Sequence, residues 1–247
     1  MARERYLVGA GEDTIHAGVI ELKSAKDKRK NWWDYHKGHV LLGAVLLAAA
    51  VSVIYSIVSK VKPDYSIGLL TSFQLPERII AQMEEHIAQY GEDRNGDGRV
   101  VVDLCPYVFS QSQTLQDPQV IQASFTRFAG DAAMDACMAY LHDSEAFLMM
   151  EENFEGFFQY NDGSPMEPGD RDYQEAMRPW RDFAGLADFD PSLEDLDGWS
   201  PEVVDELMGR LRLSVRTSEG TAFASDEKKM AYYEDTLSLV DRLEAGK

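Results

Sequence analysis

Residues 66–104 read SIGLLTSFQLPERIIAQMEEHIAQYGEDRNGDGRVVVDL, and the changes of pattern inside this stretch set the fold class. Ser66–Thr71 is a short apolar run, the pattern of a buried strand. Pro76 follows, suited to a first helical turn because its missing N–H has no intrahelical partner there. Ile79, Ile80, Met83, Ile87 and Tyr90 then recur at helical spacing along one face. Gly91 to Gly98 breaks that helix, and Arg99–Leu104 reads as a second strand. Working outward, Pro118 opens another helix, with Ile121, Phe125 and Phe128 on its apolar face. Ala136–His142 (ACMAYLH) then supplies a third strand. Strand, helix, strand, helix, strand with short connections predicts an α/β domain whose sheet is mainly parallel and whose crossovers are right-handed.

The second half is less regular. Asp143 is placed to cap a helix expected over 144–158. Two prolines, two glycines and several acids make 159–172 a loop. Tyr173–Leu186 reads as helical with a break at Pro179, and 188–198 as an acidic turn region. Ser200 and Pro201 form an N-cap and first-turn pair for a helix ending near Gly209. Arg210–Arg216 (RLRLSVR) alternates, as a strand with one wet face does. A closing helix over 226–244 aligns Met230, Tyr233, Leu237 and Val240.

Upstream, Val40–Val58 holds 19 residues without a charge. A helix of that length spans roughly 28 Å, enough for a bilayer's hydrocarbon core. Trp32, Trp33, Tyr35 and Tyr55 lie towards its two ends, where amphipathic rings favour the headgroup layer. Lys23, Lys26, Lys28, Arg29, Lys30 and Lys37 precede the span, and only Lys60 and Lys62 follow it closely. The positive-inside rule therefore predicts a cytoplasmic N-terminus and an extracytoplasmic remainder. A cleaved signal peptide begins its apolar region earlier than residue 40, so the expectation is an uncleaved, single-pass signal anchor in the cell membrane. The division is then 1–39 cytoplasmic, 40–58 transmembrane, 59–65 linker and 66–247 extracytoplasmic domain.

The chain's 43 acidic and 24 basic residues give a net charge of −19. Residues 1–37 are net +2 and residues 63–247 are net −23, so the acidity belongs to the outer domain. That field argues against a nucleic-acid binder, whose affinity rests on Lys and Arg neutralising phosphates. It favours cationic partners, or serves solubility alone.

Trp33-Asp34-Tyr35-His36-Lys37, the span, Lys62-Pro63-Asp64-Tyr65 and the strand–helix–DxNGDGxVVV unit carry a resemblance. So do Leu213-Ser214-Val215-Arg216, Gly220 and Tyr232-Tyr233. Together they resemble uncharacterised single-pass membrane proteins of Gram-positive bacteria whose outer domain is similar to extracytoplasmic solute-binding proteins. The resemblance implies one lobe of a periplasmic-binding-protein-like fold, and a strand order of second, first, third. It implies no chemistry. Short length, and an anchor helix in place of a lipidated cysteine, set this chain apart from ordinary solute-binding proteins. In the implied order the first strand separates Cys105 from Cys137, which predicts two buried free thiols instead of a disulfide.

Asp93-Arg94-Asn95-Gly96-Asp97-Gly98-Arg99 matches the first half of a calcium-binding loop. Asp93, Asn95 and Asp97 supply side-chain oxygens and Arg99 a backbone carbonyl. The twelfth position, which should carry an acid, is Leu104. The same residues equally make a turn rich in Asn-Gly and Asp-Gly, where left-handed conformations are tolerated. Calcium, if bound, braces that turn.

Ligands of open parallel sheets gather beyond the carboxyl ends of the strands. Thr71, Ser72 and His142 stand there as candidate ligand-binding residues, with helix capping as the alternative role for Ser72. No nucleophile elbow, zinc-protease helix, phosphate loop or C-x-x-C pair is present in the sequence. The expectation is a non-enzymatic, membrane-tethered binding domain for a small solute or envelope component. A scaffolding protein docked through its acidic face is the alternative, and a surface hydrolase stands behind both. A pocket at the strand ends favours the first, a filled rim with an apolar patch the second, and a Ser or Asp beside His142 the third.

Overall fold

The computed structural model describes residues 24–58, 62–110, 118–167 and 169–247. It divides into two compact units, 1–60 and 61–247. In the first, α1 (Ala25–Val58) is one helix of 34 residues, long and apolar enough to cross a membrane. Its basic first turns belong to the same helix as the apolar stretch. At 1.5 Å per residue it reaches about 50 Å, well beyond a hydrocarbon core. Trp32 and His36 stack one turn apart, with ring centroids at 4.8 Å. The side chain of Tyr55 lies outside the described residues.

In the second unit, β1 (Tyr65–Thr71), α2 (Glu77–Ala88), β2 (Val102–Val108), α3 (Pro118–Ala133) and β3 (Ala139–His142) realise the expected alternation. Strands β2, β1 and β3 are parallel and lie in that order. Beyond β3, β5 (Arg212–Val215) and the two-residue β4 (Arg178–Pro179) add antiparallel. The sheet is therefore mixed, with five strands, and its first three keep the order the resemblance implied.

Alternate strand residues feed two cores. Ile67, Leu69, Leu104, Leu141 and Leu213 pack with Ile79, Met83 and Ile87 of α2 on one face. Val204 and Met208 of α6 (Pro201–Gly209) and Leu239, Val240 and Leu243 of α7 (Glu227–Ala245) complete that layer. On the other face Leu70, Tyr107 and Tyr140 meet Phe128 of α3 and Phe147 of α4 (Ser144–Met150). Gly68 is needed at the centre of β1, because a Cβ there would stand 2.3 Å from the Tyr140 ring.

Several expected boundaries move. Strand β2 starts at Val102 instead of Arg99, because the preceding backbone is still engaged: Val101 N–H donates to the Asp64 carboxylate at 2.9 Å. Strand β3 starts at Ala139, after a connection from α3 that runs through Cys137. Helix α4 stops at Met150, so that Phe154 and Phe158 turn into the second core, with Gly156 at a positive φ of 65°. Residues 173–186 are two 3-10 turns, β4 and the four-residue α5 (Ala184–Ala187) instead of a helix. Strand β5 has no wet face. Leu213 and Ser214 are both buried, because the aromatic layer from Phe147 to Phe158 covers the side the alternation assigned to water.

Edge strand β2 is closed to further pairing. Leu104 N–H donates to the Glu84 carboxylate at 2.8 Å and Val108 N–H to the Ser124 hydroxyl at 3.1 Å. Pro106, between them, has no N–H. Side-chain caps and proline are the usual means of blocking an exposed edge.

Candidate functional site

The carboxyl ends of the parallel strands are built by β1, β2 and β3 together with the turns that follow. Thr71 is buried and its hydroxyl donates to Phe73 C=O at 2.6 Å. Ser72 N–H donates to one carboxylate oxygen of Asp143, and Ala146 N–H to the other at 2.9 Å. Asp143 thus caps α4, as its position before Ser144 predicted, and also ties the end of β1 to the end of β3.

His142 closes this rim from inside. It is 1% exposed and flanked by Phe147 and Phe158. Its Nε2 meets Ser214 Oγ at 2.9 Å, while Nδ1 has no hydrogen-bond partner. Burial, reinforced by the charge of Arg212, pushes the imidazole down to about 3. A serine beside His142 was the feature that would favour hydrolysis. Here the pair lacks both an acid on Nδ1 and exposure, since Ser214 is also 1% exposed. A nucleophile and base need an orienting partner and room for a reacting atom, and neither is provided.

A groove of about 340 Å³ opens beside Thr71, where β1 and β2 end against the start of α2 and one side of α3. Leu69, Ile80, Val108 and Val120 give it apolar walls, and Gln74, Glu77 and Arg127 stand among its polar lining residues. Helix α2 begins at this groove with Pro76 as its N-cap and no side-chain cap bond. Of the three candidate rim residues, only Thr71 lines the groove; Ser72 and His142 do not. Arg127 was not singled out by sequence, because on an exposed helix face it looks like any solvated charge. A second groove, about 350 Å³, lies beside Trp180, Phe189 and Met208, where β4 ends and β5 begins. The Arg181–Asp205 ion pair, 2.8 Å, lies among its lining residues.

The calcium-like residues come together as a self-bonded turn. Asp93 accepts Gly96 and Asp97 N–H on one oxygen and Gly98 N–H on the other. Those bonds, the Gly98 bond foremost, hold its carboxyl below the usual carboxylate range. Asn95 accepts from Asp97 N–H and Asp97 from Arg99 N–H. Gly96 and Gly98 take φ of 73° and 87°, as the turn reading requires. Among the described residues no group of three or more His, Cys, Asp or Glu side chains is arranged to hold a metal ion.

Asp64 is the residue sequence reasoning passed over. It is 1% exposed, and its carboxylate accepts N–H bonds from Arg94, Asn95 and Val101. Its Lys62-Pro63-Asp64-Tyr65 context was visible, but its partners lie some 30 residues on, beyond the reach of local pattern.

The architecture is that of an α/β domain with a mixed five-stranded sheet, joined to a helix of membrane-spanning length. Comparison with protein families, with curated proteins and with solved structures finds no match.

Proposed function

We propose that the protein is a membrane-tethered binding domain that takes a small solute in the groove at the ends of β1 and β2. The observation that carries this reading is the groove's position: it lies at the carboxyl edge of the parallel strands, where open α/β sheets place their ligands. Its volume of about 340 Å³ falls at the lower end of small-molecule sites. Apolar walls with Thr71, Gln74, Glu77 and Arg127 among the lining suit a molecule with an apolar body and polar ends. Self-satisfied rim residues and a sealed His142–Ser214 pair support binding without turnover.

Helix α1 is the tether in this reading, and the basic excess ahead of the span supports a cytoplasmic N-terminus with residues 61–247 outside. Protease added to intact protoplasts is expected to remove residues 61–247; protection of that unit would reverse the orientation.

The ligand reading is tested by thermal unfolding against a panel of small amphipathic solutes. A solute at about 100 times its Kd stabilises the folded state by about 2.7 kcal/mol, or roughly 5–10 °C for a domain of this size. Ala123→Phe fills the groove from its exposed wall, since Ala123 lines the groove and faces solvent on α3. The expected result is a rise with one solute class that Ala123→Phe abolishes. No rise with any solute, in a domain that binds a purified envelope protein instead, would favour the scaffolding role.

A further inference from the structure

The groove beside Trp180 shares no lining residue with the one at the ends of β1 and β2. It begins at the carboxyl end of β4, which runs parallel to β1 and β3, and so it opens on the edge of the sheet where such folds place ligands. Trp180 N–H donates to Leu211 C=O at 3.0 Å and pins the turn out of β4 to the start of β5. Trp180 and Phe189, with ring centroids 6.2 Å apart, line the groove together with Val204 and Met208 of α6. Helix α2 holds another wall in place. The Gln82 amide donates to Ser192 C=O at 3.1 Å and accepts Ser192 N–H at 2.7 Å, and Ser192 stands between the lining residues Pro191 and Leu193. The groove is therefore shaped in advance, which spares a ligand the cost of ordering it.

The charge around it is lopsided. Between Arg181 and Arg210 the chain has nine acidic residues and no Lys, Arg or His. Among the described residues only Asp195, Asp205 and Glu206 of the nine are in ion pairs. Asp190 and Asp205 line the groove, and exposed Asp182, Asp188, Glu194, Glu202 and Glu206 each adjoin a lining residue in sequence. Such a mouth concentrates cations. It already holds one, supplied by the chain itself. Arg181 Nη2 donates to the Asp205 carboxylate at 2.8 Å and to Asp205 C=O at 3.4 Å. The guanidinium lies against Gly209, where a Cβ would stand 3.1 Å from it. Both side chains of this pair are mainly exposed, so it is weak and open to exchange.

We propose that this groove binds a small organic cation, an ammonium or guanidinium group carried on an apolar body. The body lies against Trp180 and Phe189, whose rings attract cations as well as apolar groups. The cationic head takes the Asp205 carboxylate in place of Arg181, and Asp190 adds to the field. A groove of about 350 Å³ suits an aromatic or branched aliphatic amine. The acids at the mouth repel an anion and give a neutral solute no advantage.

The test is a calorimetric titration of the full chain with phenethylamine in a nonionic detergent. Phenethyl alcohol, hydrocinnamate and spermidine are titrated alongside at one detergent concentration, so that partitioning into micelles is controlled. Expected is saturable binding of phenethylamine that weakens as salt is raised, with the alcohol about fivefold weaker and hydrocinnamate weaker still. Spermidine, which has charge but no apolar body, is expected not to displace the amine. Asp205→Asn should weaken binding about twofold to fivefold, and Arg181→Gln, which leaves Asp205 free, should tighten it by a similar factor. Ala187→Phe fills the groove and should abolish binding, whereas Ala123→Phe, in the other groove, should not change it. No binding of phenethylamine, equal binding of amine and alcohol, displacement by spermidine, weaker binding in Arg181→Gln, or loss in Ala123→Phe would each overturn the proposal. The wild-type comparison of amine with alcohol decides it even where a variant does not fold.

Discussion

Acidification singles out His142. The imidazole is sealed between the sheet and Phe147, and its value near 3 compares with an ordinary 6.5. An unfolded chain takes up a proton near 6.5, whereas the folded chain keeps His142 neutral down to about 3. The stabilisation is therefore complete above 6.5 and is lost as pH falls between the two values. From about pH 7 to about pH 5, at roughly 1.4 kcal/mol per unit, the loss is about 2 kcal/mol. His142→Gln keeps a donor for Ser214 Oγ and cannot protonate, so its stability should lack this component. The assay is urea unfolding of residues 61–247 at both pH values, followed by the fluorescence of buried Trp180. Contributions from the many surface carboxylates are common to both proteins and cancel in the comparison. Equal losses in wild type and His142→Gln would show that the histidine is not held neutral and would refute the reasoning.

Three further outcomes follow from single contacts. Asp64→Ala strands three N–H groups at the start of β2 and in the preceding turn, and is expected to cost about 3 kcal/mol in urea unfolding, with Asp64→Asn costing less. Glu84→Ala combined with Ser124→Ala frees Leu104 and Val108 N–H on the edge strand, so size-exclusion chromatography should show concentration-dependent association absent from wild type. For the 93–99 loop, whose Asp93 oxygens already accept three backbone N–H groups, calcium and chelator are expected to give the same unfolding midpoint. A calcium-dependent rise, lost in Asp93→Ala, would instead establish an ion there.

The alternation of β1, α2, β2, α3 and β3 was legible because each element carries its own period and its own punctuation, from Pro76 to Pro118. Capping was legible too: Asp143 and Ser200 each accept the N–H bonds their positions predicted. What sequence did not carry was contact across the sheet. Strand β5 reads as half wet until the Phe147–Phe158 layer covers it, and residues 173–186 read as helix until Trp180 N–H donates to Leu211 C=O and β4 pairs with β5. The groove was legible only as a place, the strand end that Thr71 marks, and not in its walls. Its wall is shared by two helices and two strands, and none of its residues is unusual for its own element.

The most direct measurement is an equilibrium titration of the stabilising solute into three proteins. These are wild type, Ala123→Phe in the strand-end groove, and Ala187→Phe in the groove beside Trp180. Binding lost in Ala123→Phe and retained in Ala187→Phe is the result predicted for a solute seated at the ends of β1 and β2. Binding retained in Ala123→Phe would contradict that site.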